Sequence, residues 1–114
     1  MPFINSKVNV KMTNEEKDII KTELGKAIEL IPGKSEDWLM VGFEDNYNLY
    51  FKGESNDKIA FVEVKIFGSA STKAYSLLTS KICDIFNEVL LISKDKIYVK
   101  YEEVSTWGWN GGNF

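Results

Sequence analysis

Polar and apolar residues alternate from Phe3 to Val10, with Ile4, Ser6, Val8 and Val10 on one side and Phe3, Asn5, Lys7 and Asn9 on the other. A period of two predicts a strand. The period then changes. Thr13-Asn14-Glu15-Glu16 has the form of a capping box, and Ile20, Leu24, Ala27, Ile28 and Ile31 follow at helical spacing, which predicts a helix with one buried stripe. Pro32-Gly33 stops it. Alternation returns at Leu39, Val41 and Phe43, a second strand. Asp45-Asn46-Tyr47-Asn48 is turn chemistry, Leu49-Tyr50-Phe51 a short extended piece, and Gly53 to Asp57 a polar loop.

The same succession then repeats. Ala60 to Phe67 reads as a strand with Val62, Val64 and Ile66 on one side, and Gly68-Ser69-Ala70-Ser71 opens a helix whose stripe is Leu78, Ile82, Ile85 and Val89. Ser93-Lys94-Asp95-Lys96 turns the chain into a strand at Ile97-Tyr98-Val99-Lys100-Tyr101. Two β-α-β units of about half the chain each, near 1–57 and 58–114, form a weak internal repeat with no linker between them. The expected architecture is α+β in one domain, 1–114: a four-stranded sheet with both helices on one face. The other face mixes Phe3, Phe61, Phe67, Tyr98 and Tyr101 with Glu63, Lys65 and Lys100, so association with further copies is expected.

Composition removes most familiar chemistries. The 114 residues carry a net charge of -3 and no histidine, which excludes Ser-His and Cys-His nucleophile systems and a histidine metal site. All 14 basic residues are lysine, so no planar fork is available for bidentate phosphate binding. The acidic balance argues against nucleic acid as a partner. No apolar run approaches the roughly 18 residues of a membrane span, and no charged-then-apolar leader opens the chain. The single cysteine, Cys83, lies between Ile82 and Ile85 and reads as packing.

Attention falls on Met1-Pro2. A small second residue predicts removal of the initiator methionine, which leaves a secondary amine on a rigid ring. An α-amino group titrates near 7.7–8.0 in the open, and desolvation or a neighbouring cation brings it towards neutrality. A neutral amine at pH 7 is a general base. Taken alone, Lys34 after Pro-Gly is an ordinary helix-end lysine, Lys100 a surface charge on a strand, and Trp107 and Trp109 a plug for an interface. The paired carboxylates Glu15-Glu16 and Glu102-Glu103 read as a helix cap and as opposite faces of a strand.

Met1-Pro2-Phe3, Asn9-Val10, Gly33-Lys34, Ile97-Tyr98-Val99 and Trp107-Gly108-Trp109-Asn110 closing on Phe114 together resemble the macrophage migration inhibitory factor and D-dopachrome tautomerase family over the whole chain. The resemblance implies a homotrimer and cofactor-independent keto–enol tautomerisation of phenylpyruvate-like, aromatic 2-keto acids, with Pro2 as the base. It implies that Lys34 binds the substrate carboxylate, that Trp38, Trp109 and Phe114 line an aromatic pocket, and that the Ile66-Phe67 backbone contacts substrate. It further implies that Tyr98 comes from a neighbouring subunit, with Lys100 where relatives often have asparagine. Some members leave the cell without a signal peptide and act as cytokines, so the alternative is a signalling ligand with a receptor protein as partner and a cytoplasmic or exported location. Two substitutions set this chain apart within the site, Lys100 for asparagine and Phe67 for isoleucine. The Cys-x-x-Cys of some relatives is absent, since that region reads Asp57-Lys58-Ile59-Ala60-Phe61.

Overall fold

The computed structural model describes residues 1–114. Its chain order is β1 (Pro2–Val8), α1 (Asn14–Ala27), β2 (Met40–Glu44), β3 (Ala60–Phe67), α2 (Thr72–Leu90), β4 (Ile97–Val104), β5 (Gly108–Trp109) and β6 (Gly112–Asn113). The first four strands form one mixed sheet in the order β2-β1-β3-β4. Each half contributes a parallel pair, β1 with β2 and β3 with β4, and β1 runs antiparallel to β3 down the middle. Two β-α-β units thus meet across a pseudo-twofold seam, as the internal repeat implied.

Local chemistry sets the helix ends. Thr13 accepts from the Glu16 amide while Glu16 accepts from the Thr13 amide, which closes the capping box in both directions. Ser71 caps α2 by accepting from the Ala74 amide. Between the helices and the sheet lies one core. Ile4 and Val8 of β1 meet Val62, Val64 and Ile66 of β3, and Ile20, Leu24 and Ile28 meet Leu78, Ile82, Ile85 and Phe86. The stripe of α2 is wider than the heptad-like reading allowed. Phe86 and Leu90 are buried and Val89 only partly so, because α2 packs on α1 as well as on the sheet.

Strand parity corrects another expectation. Tyr101 was placed on the open face beside Tyr98, yet residues three apart on a strand point to opposite sides. Tyr101 pairs with Val64 and turns towards the helices, where its hydroxyl meets Thr79 Oγ1 at 2.7 Å and donates to the Tyr75 carbonyl at 3.0 Å. The open face carries Phe3, Asn5, Lys7, Phe61, Glu63, Lys65, Tyr98, Lys100 and Glu102, with a Lys7–Glu63 ion pair at 3.2 Å and a Lys100–Glu102 pair at 2.9 Å. Leu49-Tyr50 forms no strand, and Phe51 makes only an isolated bridge to Glu54. No helix is long and apolar enough to cross a membrane.

Ser6 is the one buried polar side chain, fully enclosed on the helix side of β1, and its hydroxyl has no hydrogen-bond partner. Unpaired burial of such a group costs about 1–3 kcal/mol. Ser6→Ala is therefore expected to raise stability by about 1 kcal/mol, read from the urea midpoint. Thr13→Ala is expected to lower it by a similar amount, about 1 kcal/mol, through loss of the cap.

Candidate active site

The site forms where the start of β1 lies against the end of β3. Pro2 pairs with Ile66, and the Phe67 amide donates to the Met1 carbonyl at 3.1 Å. Pro2 is buried, so the chain start is held within the sheet by hydrogen bonds beside it. Gly68, at φ 92°, then turns the chain sharply away, a conformation that needs no Cβ. Lys34 follows the Pro32-Gly33 turn, and its ammonium donates to the Phe67 carbonyl at 2.9 Å. Residues 34 and 67 are thereby fastened together next to the amino terminus.

The electrostatic result is visible on the chain-start amine. Burial, the positive charge of Lys34 and a hydrogen bond with Lys34 pull the Met1 amine down from the ordinary 8.0 to about 6. Removing water from around an ammonium disfavours its charged form, and a second cation adds repulsion. The Met1 amine held here is mostly neutral at pH 7.

Aromatic side chains wall the space in front of it. The Trp38 ring, on a turn of 3-10 helix at Glu36–Trp38, stands edge-on to Trp109 with centroids 5.0 Å apart. Trp109 stacks on Phe114 at 6.3 Å, and Phe114 leans on Phe67 at 5.8 Å. The last two rings are brought there by the β5–β6 hairpin. Its two-residue turn, Asn110-Gly111, has positive φ at both positions (51° and 80°), the geometry of a type I′ turn. The Phe114 amide donates to the Trp107 carbonyl at 3.0 Å, which closes the tail back over the site.

Two recesses open on either side of Met1. The smaller, about 210 Å³, is lined by Met1, Trp38, Phe67, Trp109 and Phe114 alone. The larger, about 560 Å³, adds Pro2, Phe3, Asp37, Met40 and Trp107 to the shared walls Met1, Trp38 and Trp109. Asp37 and Trp107 were not anticipated as lining residues. Asn110-Gly111 between short runs was the available hairpin signal, and it would have folded Trp107 inward; Asp37 had no signal.

Of the residues expected to form a site, Pro2, Lys34, Trp38, Phe67, Trp109 and Phe114 are brought together. Ile66 contributes only backbone, because parity sends its side chain into the core, where it is 1% exposed. Tyr98 and Lys100 lie elsewhere on the chain. Tyr98 pairs with Phe61, five residues along β3 from Ile66, about 17 Å away at 3.3 Å per residue. Its ring packs on Phe51 and Phe61, and Lys100 pairs with Glu102. Within one chain, neither can reach Pro2.

The whole chain, residues 1–114, matches the family model described as macrophage migration inhibitory factor (MIF). It is 27% identical to the macrophage migration inhibitory factor of Meriones unguiculatus, covering all of this chain and 99% of that protein. Among solved structures it is similar to MIF2 of Leishmania major, with a TM-score of 0.93 and 29% identity over 100% of this chain and 97% of that one. It is also similar to the macrophage migration inhibitory factor homologue of Prochlorococcus marinus, with a TM-score of 0.88 and 27% identity over 98% of both chains.

The electrostatics of the chain start carry a direct test. In protein that retains Met1, Lys34→Met is expected to raise the pKa of the terminal amine above about 6 without restoring 8.0, since burial, the largest cause, is untouched. Titration of that amine by NMR or by pH-dependent acylation reads the shift.

Proposed function

The chain belongs to the macrophage migration inhibitory factor family, and we propose that it is a keto–enol tautomerase for phenylpyruvate-like 2-keto acids, with Pro2 as general base after loss of Met1. The observation that carries this reading is the depressed amine of Met1, next to Pro2 at the head of β1 and set between Lys34 and an aromatic wall. A base that stays protonated is idle, and burial beside Lys34 favours the neutral form of an amine.

Loss of Met1 does more than expose a nitrogen. It takes away the carbonyl that accepts from Phe67, so that amide is left pointing at the space beside the new terminus. Lys34 is already anchored to the Phe67 carbonyl. One ammonium and one amide therefore face the position where a 2-keto acid would place its carboxylate and carbonyl oxygens, while its ring rests against Trp38, Trp109 and Phe114. Pro2 removes a proton from the carbon next to the carbonyl, and the bonding pair moves on to form the enol double bond as the carbonyl π electrons shift to oxygen. The proton then returns to that oxygen, giving the enol; the reverse sequence gives the ketone. Both donors strengthen their hold as negative charge grows on oxygen, which is differential binding of the transition state.

A second copy completes the pocket in this reading. The open sheet face, with Met40 at 69% and Tyr98 at 57% exposed, is uncovered by either helix, and assembly as a homotrimer brings the Tyr98 and Lys100 of a neighbour to the cleft. Lys100 there adds a second cation in place of a neutral amide. A signalling role through a receptor protein shares the same shell and is compatible with family membership; the intact base and cation favour the enzyme.

With Met1 removal confirmed by intact mass, an enol–keto absorbance assay on phenylpyruvate is expected to show turnover. Pro2→Gly is expected to lower kcat/KM by roughly 10²–10⁴-fold, the usual weight of a general base. Activity should rise with pH through an inflection below the ordinary α-amine range and then level off, because the neutral form is the active one. Full turnover in protein that keeps Met1 or an added amino-terminal tag would remove the base assignment.

A further inference from the structure

Both polar groups of the Phe67 backbone serve the site. Its carbonyl holds the Lys34 ammonium at 2.9 Å, and its amide points to the space beside Pro2 once Met1 is gone. The chain that follows, residues 68–71, belongs to neither strand nor helix, and Gly68 enters it at φ 92°. Such a segment has no ladder of its own, so its position depends on what reaches it from elsewhere. Two hydrogen bonds across the fold do, and both come from the end of β4. The Gly68 amide donates to the Val104 carbonyl at 3.1 Å, and the Ala70 amide donates to Glu103 Oε2 at 3.3 Å.

Glu103 is itself held. The same oxygen accepts from the Tyr75 hydroxyl at 2.6 Å, in the range of short charge-assisted bonds. The Tyr75 ring lies 4.5 Å from that of Tyr101, whose hydroxyl donates to the Tyr75 carbonyl at 3.0 Å. The start of α2 is thus fastened to β4 through both the backbone and the side chain of Tyr75, and the carboxylate is held against the turn. Strand register gives its distance from the chemistry. Pro2 pairs with Ile66 and Ile66 with Glu103, so the three form one row across the sheet. Two strand spacings, about 10 Å, separate Glu103 from Pro2. It acts through the turn, not on the substrate.

Resting on the tautomerase reading of the cleft, we propose that Glu103 is a positioning residue for the reaction: clamped by Tyr75, it holds the Gly68–Ala70 turn so that the Phe67 amide faces the ketone oxygen and the Phe67 carbonyl keeps Lys34 in place. Because both bonds end on one oxygen, the task needs the reach of the side chain and a single acceptor, not its negative charge.

The test measures kcat and KM for phenylpyruvate in protein with Met1 removed, well below the melting temperature of each variant. Glu103→Gln keeps the length and an acceptor oxygen, and should retain kcat within about twofold. Glu103→Asp keeps the charge but is one methylene shorter. It should lose about tenfold in kcat with a smaller change in KM, since misplacing a donor to the developing oxyanion costs most in the transition state. Glu103→Ala should match it; if that variant does not fold, Glu103→Asp and Glu103→Gln carry the comparison. Equal losses in Glu103→Gln and Glu103→Asp, or an intact kcat in Glu103→Asp, overturn the proposal. Amide hydrogen exchange at Gly68, read against Val64 within β3, follows the turn without any turnover. Glu103→Asp should speed it roughly tenfold and Glu103→Gln leave it unchanged. Faster exchange with kcat intact makes Glu103 a structural residue only and likewise overturns the proposal. Wild-type protein that turns over no phenylpyruvate, with exchange at Gly68 still set by Glu103, sustains the clamp and defeats the tautomerase reading instead.

Discussion

The structure depends on its first strand being a central one. β1 is hydrogen-bonded to β2 on one side and to β3 on the other, so the residue that opens it cannot fray as chain ends ordinarily do. Because β1 runs antiparallel to β3, the start of one strand lies at the end of the other, and Pro2 is set beside Ile66 and Phe67. The parallel pairings then require the chain to cross over twice, and both crossovers are helices on the same face. Buried backbone on one side and a helix-covered core on the other withdraw the amine partly from solvent. The pKa of about 6 at this terminus is thus a property of topology as much as of Lys34.

Much of this was legible in the sequence because the relevant signals are local. Period-two alternation located β1 and β3, and Thr13 with Glu16 announced the start of α1 by a pair of hydrogen bonds three residues apart. Less local features were missed. The alternation from Ile97 and the reading of Glu102 and Glu103 as opposite faces of a strand located β4, but not what holds it together as far as Val104. Glu103 instead accepts from the Tyr75 hydroxyl at 2.6 Å and from the Ala70 amide at 3.3 Å, a tertiary clamp that keeps the strand going. Burial and that carboxylate push the Tyr75 phenol up to about 12, so it remains a donor throughout the neutral range.

The candidate site was legible in a different manner. Pro2 and Lys34 followed from chemical type and from family resemblance, and the fold brings them to one place. The expectation at Ile66 concerned backbone alone, and its side chain shares the core-facing register of Val62 and Val64. Tyr98 and Lys100 sit at positions that no single chain can bring to the cleft, and no periodicity can report on that. Trp107 was read as a plug; the Asn110-Gly111 turn makes it a wall.

The central place of β1 also has a consequence for biosynthesis. The strand is made well before its partner on one side, residues 60–67, which emerges some fifty residues later, with β4 later still. Pairings so distant along the chain form slowly. Until they do, Met1 is free of the sheet; once they have, its carbonyl is bonded to Phe67 and its amine is partly withdrawn from water. On the proposed reading, a peptidase that trims the initiator residue works most easily on the nascent chain, so that maturation of the base is timed to translation rather than to the finished protein.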